Sequence, residues 1–314
     1  MGQRTCTTAI SLTLALTLAA HSAEAALRNR TFVSGNGLDT NPCSVAQPCR
    51  TFAFAITQTA PGGGITILDP ANYGPVTISQ AISIINEGIG EASVQTTSAV
   101  DAITVSAGTT DNVILRGLNL VGLGIGLNGI NIETAGKVDI QNCTINGFTK
   151  IGINFDPTID GSFKLAVSDT IVSGNADFGI QVKADSAGRT ANAFFERVQS
   201  LNNLTGFNIQ SVGTIHATAA DSVAAHNSGT GFRAGASAGS FINFLVANSK
   251  AVNNGTGITA TGSVKATISL SQSIVSGNAT GFVANSGAVI MTYQNNVIED
   301  FTSAVGSLTN ATLQ

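Results

Sequence analysis

The sequence predicts an all-β protein built as a parallel β-helix, a single-stranded solenoid with about 25 residues per rung. The first observation behind this is a repeat: Gly, a large apolar residue, a polar one and usually a second apolar one. Its copies are Gly129-Ile-Asn-Ile, Gly152-Ile-Asn-Phe, Gly179-Ile-Gln-Val, Gly206-Phe-Asn-Ile, Gly231-Phe-Arg-Ala, Gly257-Ile-Thr-Ala and Gly281-Phe-Val-Ala, so 152 residues divide into six intervals. A fixed period of this size is the signature of stacked repeats. The second observation is the grain of each unit. Leu165 to Asp169 alternates as a strand, Thr170-Ile-Val172 is a second, Ser173-Gly-Asn175 is a turn, and Gly179-Ile-Gln-Val182 is a third strand. Such short, β-branched segments, broken by Gly and Asn, exclude a long helical period. The third is charge: of 314 residues only 10% are charged, too few for solvated helix faces.

Taken in chain order, residues 1–25 read as a signal peptide: Arg4 in a short polar start, an apolar stretch from Ala9 to Ala20, and Ala23-Glu24-Ala25 as the cleavage site. The apolar stretch is shorter than the roughly 18 residues a bilayer span requires, and no other segment is long and apolar enough. Export implies an oxidising compartment, in which Cys43 and Cys49 close a short loop as a disulfide. Cys143 is left as a small buried hydrophobe. Residues 26–64 form an N-terminal cap with this disulfide loop and one capping helix, Thr51 to Thr59, stopped by Pro61-Gly-Gly-Gly64. Residues 65–314 form the β-helix, its rungs beginning at Ile65-Thr-Ile-Leu68 and fading after Val305. Two polar columns mark its bends. Asn146, Asn175, Asn203, Asn227, Asn254 and Asn278 precede the Gly of the repeat, and Asn142, Asp169, Glu196, Asp221, Asn248, Gln272 and Asn295 fall between the first two strands. Turn chemistry accounts for both. With no barrel or anchoring tail after the rungs, a periplasmic or released protein is expected.

Composition also narrows the partners. A net charge of −4 without clustered Lys or Arg excludes nucleic acid, and a mean hydropathy of +0.28 excludes disorder.

The segment from Phe32 to Asn86 carries Ser34-Gly-Asn, Asn41-Pro-Cys, Pro48-Cys-Arg-Thr-Phe52, Leu68-Asp-Pro, Tyr73-Gly-Pro-Val-Thr-Ile78 and Ile82-Ser-Ile84. With the repeats that follow, it resembles secreted bacterial proteins of the right-handed β-helix type, within the pectin-lyase-like superfamily. The resemblance covers nearly the whole mature chain and implies a right-handed coil. It implies no single activity, because that superfamily spans lyases, hydrolases, epimerases, esterases and adhesins.

Catalytic signatures of the superfamily are missing. The Asn-Thr-Asp, Asp-Asp, Gly-His-Gly and Arg-Ile-Lys motifs of polygalacturonase-like hydrolases do not occur. The nearest match to the epimerase aromatic-Gly-x-Asp-Pro-His pattern is Asn154-Phe-Asp-Pro157, followed by Thr158 in place of the His. His216 in a strand and His226 in a turn have no sequence neighbour with which to share a metal. No metal site or cofactor is expected, and catalytic residues stay unassigned. The outward positions of the Gly-led strands are more informative: Asn131, Asn154, Gln181, Asn208 and Arg233 follow one another, with Glu133, Asp156 and Lys183 two residues further on. Amides and charges repeated every 4.8 Å or so can bind successive sugar hydroxyls and uronate carboxylates. The resemblance places the superfamily's substrate groove on this same face. Aromatic platforms are scarce, with no Trp and only Tyr73 and Tyr293. The expectation is therefore a secreted module that binds a polysaccharide or cell-surface glycan. The alternatives are a divergent pectate-lyase-like lyase or hydrolase, with Glu133 and Asp156 on Ca²⁺ or as acid and base and Lys183 or Arg233 as proton abstractor, and a structural or adhesive protein.

Overall fold

The computed structural model describes residues 1–2, 27–262 and 265–312; the expected signal peptide otherwise lies outside the described residues. The chain coils through three parallel sheets, each visited once per turn: a first sheet of twelve strands, then a second and a third of ten each. Within one turn the chain runs Gly161–Ser168 (first sheet), Ile171–Ser173 (second) and Phe178–Ala184 (third), then repeats as Arg189–Glu196, Gln199–Leu201 and Thr205–Ser211. Every pairing is parallel. Inward columns of Ile, Val, Phe and Ala fill the coil, and in the middle turns Phe195, Phe207, Phe232 and Phe244 pack with successive centroid separations of 5.4, 4.8 and 6.0 Å.

The glycine of the repeat is a steric requirement. A Cβ on Gly152 would lie 2.7 Å from the carbonyl oxygen of Gly179 and 2.2 Å from Val172, and a Cβ on Gly206 would lie 2.7 Å from the carbonyl oxygen of Gly231. Each rung thus leaves no room for a side chain above the next, so the same residue type recurs at every turn.

Both bends are tied by side-chain ladders. Between the second and third sheets, the buried Asn175, Asn203, Asn227, Asn254 and Asn278 stack. Each of the first four donates its backbone N–H to the next one's Oδ1 at 2.9–3.0 Å. Asn227 Nδ2 also donates to the Ser200 carbonyl at 3.1 Å. Asn146 does not join this ladder: it ends the strand Thr144–Asn146, and the Phe148 N–H donates to Asn175 Oδ1 in its place. Between the first and second sheets, Asn142, Asp169, Arg197, Asp221, Asn248 and Gln272 take left-handed backbone with φ from 47° to 53°. Glu196, expected in this column, pairs with Ala220 one position before the bend, and Arg197 takes the corner. Likewise Gln294 rather than Asn295 is left-handed, while Asn295 Oδ1 accepts from the Gln272 N–H at 3.0 Å. After four of these corners a hydroxyl closes the turn: Thr170, Ser222, Ser249 and Ser273 donate to the carbonyl two residues back at 2.7–2.9 Å, while Val198 follows the Arg197 corner. Cys143 holds the equivalent place, its thiol donating to the Gln141 carbonyl at 3.2 Å.

The N-terminal cap combines the strand Arg28–Val33, the Cys43–Cys49 disulfide and the helix Phe52–Gln58. Thr51 caps the helix by accepting the Phe54 N–H at 3.1 Å. Pro61-Gly-Gly-Gly64 does not stop it. Those residues belong to the strand Thr59–Ile67, and a register shift between Arg28 and Arg30 lets them bulge against the first strand. The helix ends at Thr59, which turns extended while its Oγ1 donates to the Ala55 carbonyl at 2.8 Å. Strands also continue beyond Val305, with Leu308–Asn310 closing the first sheet.

Candidate functional site

The expected polar face is assembled by strand register. On the third sheet Asn131 pairs with Asn154, Asn154 with Gln181, Gln181 with Asn208, and Asn208 with Arg233. Consecutive strands stand about 4.8 Å apart, so five polar side chains form a ladder up the face. Asn154 Nδ2 donates to Asn131 Oδ1 at 2.9 Å, Asn131 Nδ2 to Glu133 Oε1 at 3.3 Å, and the Arg233 guanidinium to Asn208 Oδ1 at 2.7 Å.

The ladder is half-buried at its ends, at Asn131, Asn154 and Arg233, and close-packed between them. Gln181 is only 5% exposed and Asn208 is fully buried, although both point away from the core. The Asn208 Nδ2 and Asn154 Oδ1 atoms have no hydrogen-bond partner. An unmatched buried donor costs about 1–3 kcal/mol, and Asn208 Nδ2 carries that cost beneath the surface, so the ligand-facing groups of the ladder are the half-buried Asn131, Asn154 and Arg233. Among the described residues no carboxylate forms an ion pair with Arg233, and burial pushes its guanidinium below the usual arginine value.

The charges two residues further on behave differently. Lys183 Nζ lies 2.9 Å from Asp185 and 3.3 Å from Asp156. Burial alone would lower its pKa, but the pairs with Asp185 and Asp156 outweigh it and hold the ammonium above the ordinary lysine value. Lys183 therefore stays protonated and cannot accept a proton near neutral pH. Glu133 stands apart: a register shift between Ile132 and Thr134 sets it out of line. With Asp156 bound to Lys183 and Glu133 bridged to Asn131, these carboxylates do not fit a Ca²⁺ site. Among the described residues no three of His, Cys, Asp and Glu converge.

Tyr73 is no ring platform. It is buried against Phe52 with centroids 5.0 Å apart. Exposed rings lie on the first sheet instead, at Phe194 and Phe241, near His216. Their signal in the sequence is faint: in Phe194-Phe195 alternation must send one ring outward, but two adjacent phenylalanines do not say which.

Among solved structures the chain is similar to a pectate lyase, Pel9A, with a TM-score of 0.63 at 15% identity over 90% of this chain and 80% of that one. It shares that enzyme's fold. It is also similar to a rhamnogalacturonan lyase, with a TM-score of 0.55 at 14% identity over 88% of this chain and 86% of that one. The right-handed parallel β-helix expected from the sequence is thus the fold observed. No family model matches the sequence. No curated protein matches it either. Among the described residues no helix is long and apolar enough to cross a membrane.

Proposed function

We propose that the protein is an exported polysaccharide-binding β-helix that uses the outer face of its third sheet. The observation carrying this reading is the register-matched ladder Asn131, Asn154, Gln181, Asn208 and Arg233. It offers hydrogen-bonding groups at a regular spacing, as a polymer of hydroxylated rings requires, and Arg233 can pair with a uronate carboxylate. The fold supports the same reading, since two of its solved neighbours are lyases whose names specify pectate and rhamnogalacturonan. Export is supported by the Cys43–Cys49 disulfide, which persists in oxidising compartments.

The test is a pull-down of the pure protein on a panel of neutral and uronate polysaccharides. Retention of wild type on at least one polymer, weakened about tenfold or more in Arg233→Ala, is expected. Equal retention of wild type and variant on every binding polymer, or none at all, refutes the reading.

One observation favours a second reading, a divergent lyase. Among the described residues Arg233 is a half-buried cation with no carboxylate in an ion pair, whereas Lys183, the other candidate proton abstractor, is held by two aspartates. This reading predicts unsaturated uronates that absorb in the near ultraviolet, lost in Arg233→Lys. Binding without such product leaves the binding module as the function.

A further inference from the structure

The first sheet carries a groove of about 450 Å³ on its outer surface. Register builds it from two columns. One runs Lys137, Lys164, Asn192, His216 and Asn243. Beside it, Ala166 pairs with Phe194 and Phe194 with Thr218, so Phe194 rises between two small neighbours. The Phe194 ring is 44% exposed. Phe241, 40% exposed, stands beside the groove on the other side of the His216 column from Phe194 and packs on His216 with centroids 5.5 Å apart.

Four features distinguish this trough from a merely solvated sheet. Its volume is in the range of ligand clefts, and its rings are left in water although burying each would stabilise the fold by about 1.5–3 kcal/mol. Its amides, Asn192 and Asn243, stand two rungs apart on either side of His216. Its lower end is cationic. Among the described residues no carboxylate pairs with Lys164, while the adjacent Lys137 is held by Asp139 at 2.9 Å. In a chain of net charge −4 this places an unneutralised cation beside apolar rings.

We infer that this groove is a second glycan-binding site, distinct from the third-sheet ladder, and that it takes a carboxylated sugar chain. The rings receive the C–H faces of sugar rings, the amides receive hydroxyls, and Lys164 pairs with a carboxylate. Exposed aromatic rings beside polar side chains suit a ligand that is apolar on its faces and polar at its edges. The charge at one end selects the acidic glycan over its neutral counterpart. This site stands whether or not the third-sheet ladder binds.

The full-length protein, labelled with ¹⁵N, is titrated with hexagalacturonate and, separately, with its fully methyl-esterified form. Shifts are expected at residues 164, 192–194, 216–218 and 241–245. The double variant Phe194→Ala/Phe241→Ala should weaken hexagalacturonate binding about tenfold. Lys164→Ala should remove the preference for the acidic over the esterified probe. All three positions are exposed, and an unchanged thermal midpoint verifies folding. The inference fails if wild type shows no shifts at these residues. It fails equally if the double variant binds as wild type does. Shifts confined to 154–156, 181–183, 208–210 and 233 overturn it while leaving the third-sheet reading intact.

Discussion

At Asn227 a single amide makes two hydrogen bonds to the preceding rung, accepting from the Asn203 N–H and donating to the Ser200 carbonyl. Truncation orphans both groups in a dry bend, and each unmatched group costs about 1–3 kcal/mol. Asn227→Ala should therefore lower stability by about 3 kcal/mol, read from the urea midpoint, while Gln199→Ala on the exposed side of the second sheet should stay within about 0.5 kcal/mol. Cys143 makes the complementary case. Its thiol does the work of the hydroxyls at Thr170 and Ser222, and burial pushes its pKa up to about 11. Cys143→Ser should accordingly keep the wild-type thermal midpoint and Cys143→Ala should lower it. In the native protein the thiol should be inert to disulfide reagents at neutral pH until the rungs unfold. Both roles were half visible in the sequence. The asparagine column was legible because one short amide recurs at one bend, but the Cys143 role was not, because thiol and hydroxyl look unrelated until the shared carbonyl acceptor is seen.

The cap is the element whose chemistry differs most from the rungs. Asp69 gathers it, accepting from Ser34 Oγ at 2.6 Å, the Gly35 N–H at 2.6 Å and the Tyr73 hydroxyl at 2.8 Å. Burial raises its proton affinity, but the bonds from Ser34, Gly35 and Tyr73, with Arg50 nearby, outweigh this and hold the carboxyl below the usual range. A depressed carboxylate pKa contributes stability that is complete above the unfolded value, near 4, and is lost as pH falls through the folded value. The near-ultraviolet dichroism of Tyr73 should thus report a denaturation midpoint that falls between neutral pH and roughly pH 3. Asp69→Asn should have a lower midpoint at neutral pH and a flatter profile; a wild-type profile as flat as the variant's contradicts the role given to Asp69. The disulfide and the helix of this cap were legible, because cysteine spacing and a Thr N-cap act locally. The strand through Pro61 and Gly64 was not, since glycines and proline mark stops in a chain read alone and a bulge only when a neighbouring strand is present.

At the scale of the molecule, each rung touches only its neighbours, so stability sums over rungs and the outer faces are free to vary. That separation explains why the coil was readable at low charge and without catalytic motifs. The inward columns and the Gly of the repeat obey a packing rule at every turn, as the close carbonyl above Gly206 shows. The outer positions obey none, and only register reveals that Asn208 and Arg233 touch or that Lys183 is already neutralised by two aspartates. The same register makes the third-sheet ladder a single surface, and its ability to hold a sugar chain is the central claim. A crystal structure with an oligosaccharide of whichever polymer the pull-down retains tests it most directly. Sugar oxygens within hydrogen-bonding distance of the Asn131 amide and the Arg233 guanidinium, both only half-buried, are predicted. A sugar chain seated elsewhere, with the face from Asn131 to Arg233 bare, would contradict the claim.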